Sequence, residues 1–187
     1  MNKHSPPTAG DEERNKVAEV ADDTAGAPGG SETSGERLPV FRGVTQLVLD
    51  AKGRLAIPAR HRDALAGNGN GHLVLTADPS RCLLLYPLAA WEPIQARLMA
   101  LSSFDEKIRG LQRLIVGHAD DVEIDAAGRI LVPPALRRYA NLDKHAVLVG
   151  QGRKFELWDE AQWQNATAQA ITFPADGLPP ELSGFTL

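Results

Sequence analysis

The chain has 187 residues, 43% of them hydrophobic, and a formal net charge of −4. That content allows one good core or two small ones packed together. No stretch approaches the length of a membrane-spanning helix or resembles the apolar segment of a secretory leader. The single cysteine, Cys82, excludes an internal disulfide framework and fits a reducing compartment, so the expected location is the cytoplasm.

Residues 1–39 hold four basic and eight acidic residues and so carry the whole net charge. Rich in Gly, Ala, Ser and Thr, they cannot bury enough apolar surface to offset the entropy of ordering them, and a disordered acidic extension is expected. A first folded unit spans 40–91. Leu47, Val48 and Leu49 read as a strand entering Asp50-Ala51-Lys52-Gly53, where Asp can bond its own backbone and Gly can take positive φ. Arg54-Leu55-Ala56-Ile57 alternates as a second strand, and Pro58 stops it where a short basic helix starts. Strand, turn and strand together read as a local hairpin. Cys82-Leu83-Leu84-Leu85 is strand-like, which makes Cys82 a buried structural thiol. Linker helices are expected over 92–115. Leu88, Trp91, Ile94, Leu98 and Leu101 fall on one helix face, and Ser103-Phe104-Asp105-Glu106 has the form of a capping box with Ser103 at the cap and Glu106 reaching back. A second unit spans 116–163. Residues 164–187, broken by Pro174, Pro179 and Pro180, are expected to form a loose tail.

The second unit repeats the first. Asp50 through Pro58 recurs as Asp125 through Pro133, 75 positions on, with Asp, Ala, Gly, Arg and Pro in register. His72 to Leu75 matches His145 to Leu148, and Leu85 through Trp91 matches Leu157 through Trp163. The small changes of register fall in loops, which tolerate them. A supersecondary unit used twice is the simplest source of such a self-match. One copy is too small to hide both faces of its sheet, so the two are expected to pair their open faces in an α+β, mainly β, fold.

Little in the sequence supports catalysis. The five histidines show no zinc-site spacing, neighbouring carboxylates such as Asp120-Asp121 point to opposite faces of a strand, and no nucleophile or phosphate-loop motif is present. No metal or cofactor is expected. The two turns remain. Asp50, Gly53, Asp125 and Gly128 read as the turns' own structure. Arg42, Lys52, Arg54, Arg60 and Arg62 cluster around the first turn, and a two-stranded ribbon bearing arginine fits the major groove of DNA. Residues 40–91 hold six basic and three acidic residues, net +3, whereas 116–163 hold six and eight, net −2. The first turn is therefore expected to lead in binding a phosphate backbone. Arg129 is balanced between scaffold and DNA contact.

Phe41-Arg42-Gly43, Asp50 through Pro58, Leu83 through Pro87, Gln112-Arg113-Leu114 with Gly117-His118-Ala119, Asp125 through Val132, and Phe155 through Asp159 together resemble the MraZ transcriptional regulators, in order from Val40 to about Trp163. The resemblance implies two AbrB-like domains in a pseudo-symmetric swapped-hairpin β-barrel, assembled into homo-oligomeric rings. It also implies binding to double-stranded DNA at promoter repeats before the division and cell-wall gene cluster, the protein's own promoter included, with repression as the expected sense and the nucleoid as the place of work. In that family the Asp-x-x-x-Arg motifs carry DNA binding, which here implies Asp50 with Arg54 and Asp125 with Arg129. Family members begin at Met-Phe-Arg-Gly, and Val40 stands in the place of that Met, so residues 1–39 are expected to be partly or wholly untranslated. Two other classes are an AbrB-like antitoxin or protein-interaction module, and an unrecognised enzyme.

Overall fold

The strands that flank the two turns find their partners in the opposite repeat. The computed structural model describes residues 39–66, 71–102 and 104–171. The disorder expected for the acidic extension and the course of the chain beyond Ile171 lie outside the described residues. The first repeat comprises β1 (Phe41–Val48), β2 (Arg54–Ala56), α1 (Ala59–Ala66), β3 (His72–Ala77), β4 (Leu83–Pro87) and α2 (Leu88–Met99). After α3 (Glu106–Ile115) the second comprises β5 (Asp120–Glu123), β6 (Arg129–Leu131), α4 (Pro134–Tyr139), β7 (His145–Gly152), β8 (Lys154–Asp159) and α5 (Glu160–Ile171). The fold is mainly β with several short helices.

Two sheets result, one of six strands in the order β1-β7-β8-β4-β3-β5 and one of two strands, β2-β6. Within each repeat β3 pairs with β4 and β7 with β8, while β1 crosses to β7, β5 crosses to β3, and β2 crosses to β6. This corrects the local hairpin. β1 and β2 form no ladder with each other, and the turn between them is closed by the Asp50 N–H to Arg54 O and Gly53 N–H to Asp50 O bonds. An isolated two-stranded hairpin is marginal in water. Crossing over lets Ile57 N–H reach Gly128 O and Val132 N–H reach Gly53 O, tying each turn to the strand that follows the other.

The crossing is symmetric. Leu55 faces Ile130 at the centre of the two-stranded sheet, and in the larger sheet Leu83↔Leu157 and Leu85↔Phe155 flank Leu84↔Glu156. Alternation along these strands divides the core. On one face Leu73, Leu75, Leu83, Leu85, Leu148 and Phe155 meet Leu55, Ile57, Ile130 and Val132 from beneath the ribbon. On the other, Val74, Tyr86, Val147 and Trp158 pack with Trp91 of α2 and Trp163 of α5. Phe41 and Phe155, one from each repeat, bring their rings to 4.3 Å. Burial pushes the Cys82 thiol up to about 12, which leaves it unionised and unreactive at neutral pH.

Two helix ends differ from expectation. The cap of α3 is Asp105, whose carboxylate accepts from Lys107 N–H and Ile108 N–H. A carboxylate there satisfies two orphan donors and sits favourably at the positive end of the helix. Ser103, the expected cap, lies outside the described residues. At the other end of the chain, α5 runs past Trp163 to Ile171, so the second unit does not stop at the tryptophan.

Candidate nucleic-acid interface

The two Asp-x-x-x-Arg motifs fold into turns held by the same set of hydrogen bonds. In the first, one oxygen of Asp50 accepts from the backbone N–H groups of Lys52 and Arg54, both at 2.9 Å. The other accepts from Arg54 Nε at 2.8 Å and Nη2 at 2.7 Å. In the second, Asp125 accepts from Ala127 and Arg129 N–H at 2.9 Å, from Arg129 Nε at 2.9 Å and from Nη2 at 2.8 Å. One carboxylate thus makes the turn and aims the arginine. The Nη1–Nη2 edge of each guanidinium is the end that can address a ligand, and it is the edge that pairs end-on with guanine.

These bonds hold the acids ionised. The Arg54 backbone N–H, then its guanidinium, lower Asp50 from 3.8 to about 2. Asp125 is lowered likewise, first by the Arg129 side chain and then by its backbone N–H. A depressed carboxylate adds stability that is complete above its unfolded value and is lost as pH falls through the folded one. The turns are therefore expected to keep their shape down to mildly acidic pH. An NMR titration of the Asp50 carboxyl carbon checks this: a midpoint at or above the ordinary 3.8 would mean that the buttress is absent in solution.

A second device braces each turn. Gly53 and Gly128 have φ of +79° and +75°, a left-handed backbone that disfavours any Cβ. Each also lies under a guanidinium from the other repeat: a Cβ on Gly53 would come to 2.5 Å of Arg137 Cζ, and one on Gly128 would meet Arg62 in the same way. Arg62 Nε donates to Ile57 O at 2.7 Å, whereas Arg137 Nε is buried with no partner among the described residues. Arg62 is therefore a brace on the opposite turn rather than part of a basic cluster. Gly53→Ala and Gly128→Ala are each expected to cost roughly 1–2 kcal/mol from the left-handed backbone and to push the bracing arginine aside. Unchanged urea midpoints in both variants would contradict this.

The ribbon merges the two motifs into one surface. Arg54 lies opposite Leu131 and Arg129 opposite Ala56, and facing residues of a strand pair project from the same side. Leu55 and Ile130, each 1% exposed, point inward, so Arg54, Ala56, Arg129 and Leu131 make up the outer face. Lys52 is exposed at the Arg54 end; its counterpart at the other end is Ala127. Arg42 is exposed on β1, at the edge of the six-stranded sheet and not on the ribbon. Arg60 donates to Thr45 Oγ1 and to His61 Nε2. His61 packs against the edges of both the Phe41 and Phe155 rings, and its pKa is lowered by burial and then by Arg60. His72 and His145 begin β3 and β7, and among the described residues no three His, Cys, Asp or Glu side chains group to hold a metal.

A family model described as "MraZ protein, putative antitoxin-like" matches the chain twice, over residues 40–114 and 115–177. The chain belongs to the MraZ family. Each matched segment contains one copy of the internal repeat. Proteins called transcriptional regulator MraZ are similar to it: that of Thiobacillus denitrificans is 57% identical over 148 residues, 79% of this chain and 100% of its own length. That of Methylobacillus flagellatus is 58% identical over 148 residues with the same coverage, and that of Alkalilimnicola ehrlichii is 51% identical over 150 residues, again covering 79% and 100%. Within this MraZ chain the residue that sequence reasoning did not single out is Leu131, whose place opposite Arg54 follows only once β2 and β6 are paired.

Proposed function

We propose that this protein is a sequence-specific DNA-binding transcriptional regulator that lays the β2-β6 ribbon in the major groove of double-stranded DNA. The observation that carries the reading is the pair of Asp-buttressed arginines, Arg54 and Arg129, on the outer face of one two-stranded ribbon. Such a ribbon fits the major groove, and arginine is the usual bidentate partner of guanine there. Lys52 adds an exposed charge for phosphate, and Arg42 a further one from the edge of the neighbouring sheet. The names of the similar proteins support the regulatory role and attach no enzymatic activity to it. We extend the reading to repeats upstream of the division and cell-wall gene cluster, the protein's own promoter included, with repression as the sense, the nucleoid as the place, and a swapped-hairpin barrel as the architecture formed by the reciprocal strand pairing. Gel shift with DNA from upstream of the protein's own gene, at fixed salt against an unrelated duplex, tests it. Equal affinity for the two would remove the specificity claim.

The reading includes a homo-oligomer, with a ring as its closed form. Support comes from exposed apolar side chains on elements other than the ribbon: Val44 and Val48 on edge strand β1, Met99 at the end of α2, Leu101 just after it, and Phe104, 92% exposed. Linking weak DNA-binding faces raises affinity by about 10²–10⁴ without a new contact. Tandem DNA repeats are therefore expected to bind far more tightly than a single one. A monomer mass by light scattering under binding conditions would contradict this. A second reading, an antitoxin that neutralises a toxin, draws on the family's description alone; it requires a stoichiometric protein partner, and co-purification of one would favour it.

A further inference from the structure

The outer face of the ribbon carries one large apolar side chain that belongs to neither core cluster. Leu131 is 51% exposed, while its neighbours Ile130 and Val132 are buried. It lies directly opposite Arg54, and the matching place at the other end of the ribbon, opposite Arg129, is filled by Ala56. The two ends therefore differ: one presents Arg54, Lys52 and Leu131, the other Arg129, Ala127 and Ala56. An exposed leucine between charged groups is poorly placed for solvent but well placed for the one apolar feature of the major groove, the thymine C5-methyl group. Facing side chains on paired strands stand about 4.5–5.5 Å apart, and base pairs are stacked about 3.4 Å apart. With Arg54 on a guanine, Leu131 therefore reaches a neighbouring base pair.

We propose that Leu131 is a specificity-determining residue that packs on the methyl group of a thymine within about two base pairs of the guanine held by Arg54. This rests on the DNA-binding reading of the ribbon. The end carrying Ala56, shorter by three carbons, reads no methyl group in this way. The protein would distinguish thymine from cytosine at one position without a hydrogen bond to either.

The test uses the full chain and a duplex taken from its footprint upstream of its own gene, with each thymine replaced singly by uracil, which lacks only the methyl group. The guanine contacted by Arg54 is located first, as the position where 7-deazaguanine weakens the wild type but not Arg54→Ala. Wild type is expected to lose about fourfold in affinity at one thymine near that guanine, the scale of one buried methyl group. Leu131→Ala should bind the thymine and uracil duplexes equally at that position, and Leu131→Met should restore the preference. Indifference of the wild type to every uracil would overturn the proposal, as would a Leu131→Ala variant that keeps the preference. A change in assembly mass for Leu131→Ala would assign the side chain to a subunit contact and overturn it too. Failure of the wild type to form any footprint would instead overturn the DNA-binding reading, and this inference with it.

Discussion

Arg54→Ala is expected to weaken binding to specific DNA by roughly 1–3 kcal/mol, about 5- to 150-fold, the scale of one lost bidentate base contact. The fold should survive. Asp50 still accepts the Lys52 and Arg54 backbone N–H groups in the variant, so the turn keeps two of its bonds. The unpaired Asp50 charge then faces the phosphates and adds to the loss. Arg129→Ala is expected to lose less. Its motif has the same geometry, but Ala127 replaces Lys52 and Ala56 replaces Leu131 around it. Lys52→Ala should behave differently again, weakening specific and non-specific DNA alike and reducing the slope of log affinity against log salt by about 0.9. Gel shifts across a salt series separate the three. Equal losses for Arg54→Ala and Arg129→Ala would show that the two ends of the ribbon are functionally alike.

Leu55→Ala is expected to destabilise the protein by about 2–5 kcal/mol, the range for a buried leucine truncated to a cavity. Leu55 is 1% exposed and lies at the pseudo-symmetry centre, facing Ile130. Against a typical domain stability of about 5–15 kcal/mol this is a large fraction. DNA binding should weaken at temperatures where the variant is still folded, because the cavity opens directly beneath the outer face. Chemical denaturation together with gel shift reads both effects. A stable variant with normal DNA affinity would show that the inner pair does not set the ribbon's position.

Much of this architecture was legible because the repeat is written in register. Asp, Gly, Arg and Pro recur at fixed offsets, and those residue types define turns, strand ends and helix starts by local chemistry alone. The strand partners were not legible in the same way. β2 and β6 are only three residues long, too short for alternation to say whether the partner is the neighbouring strand or one from the other repeat. Arg62 illustrates the same limit for charge. Counted along the chain it belongs to a basic cluster, yet its guanidinium lies over Gly128, and only the folded chain brings those together. Ser103 was a reasonable cap by motif, but Asp105 offers a better acceptor at the helix start. Leu131 was legible in part: inward Ile130 already implies an outward neighbour, but what it stands beside required the β2-β6 register.

The crossed pairing also orders events during synthesis. β1 (Phe41–Val48) has its partner in β7 (His145–Gly152), and β2 waits for β6. A ribosome that has released only the first repeat has released strands with nowhere to dock, and pairing over such sequence separation is intrinsically slow. Until the second repeat emerges, the unpaired strands are open to the same segments of neighbouring nascent chains. No prematurely terminated product that ends before β6 can hold a complete ribbon, so the outer face that carries Arg54 and Arg129 comes into being only when synthesis of the second repeat is well advanced.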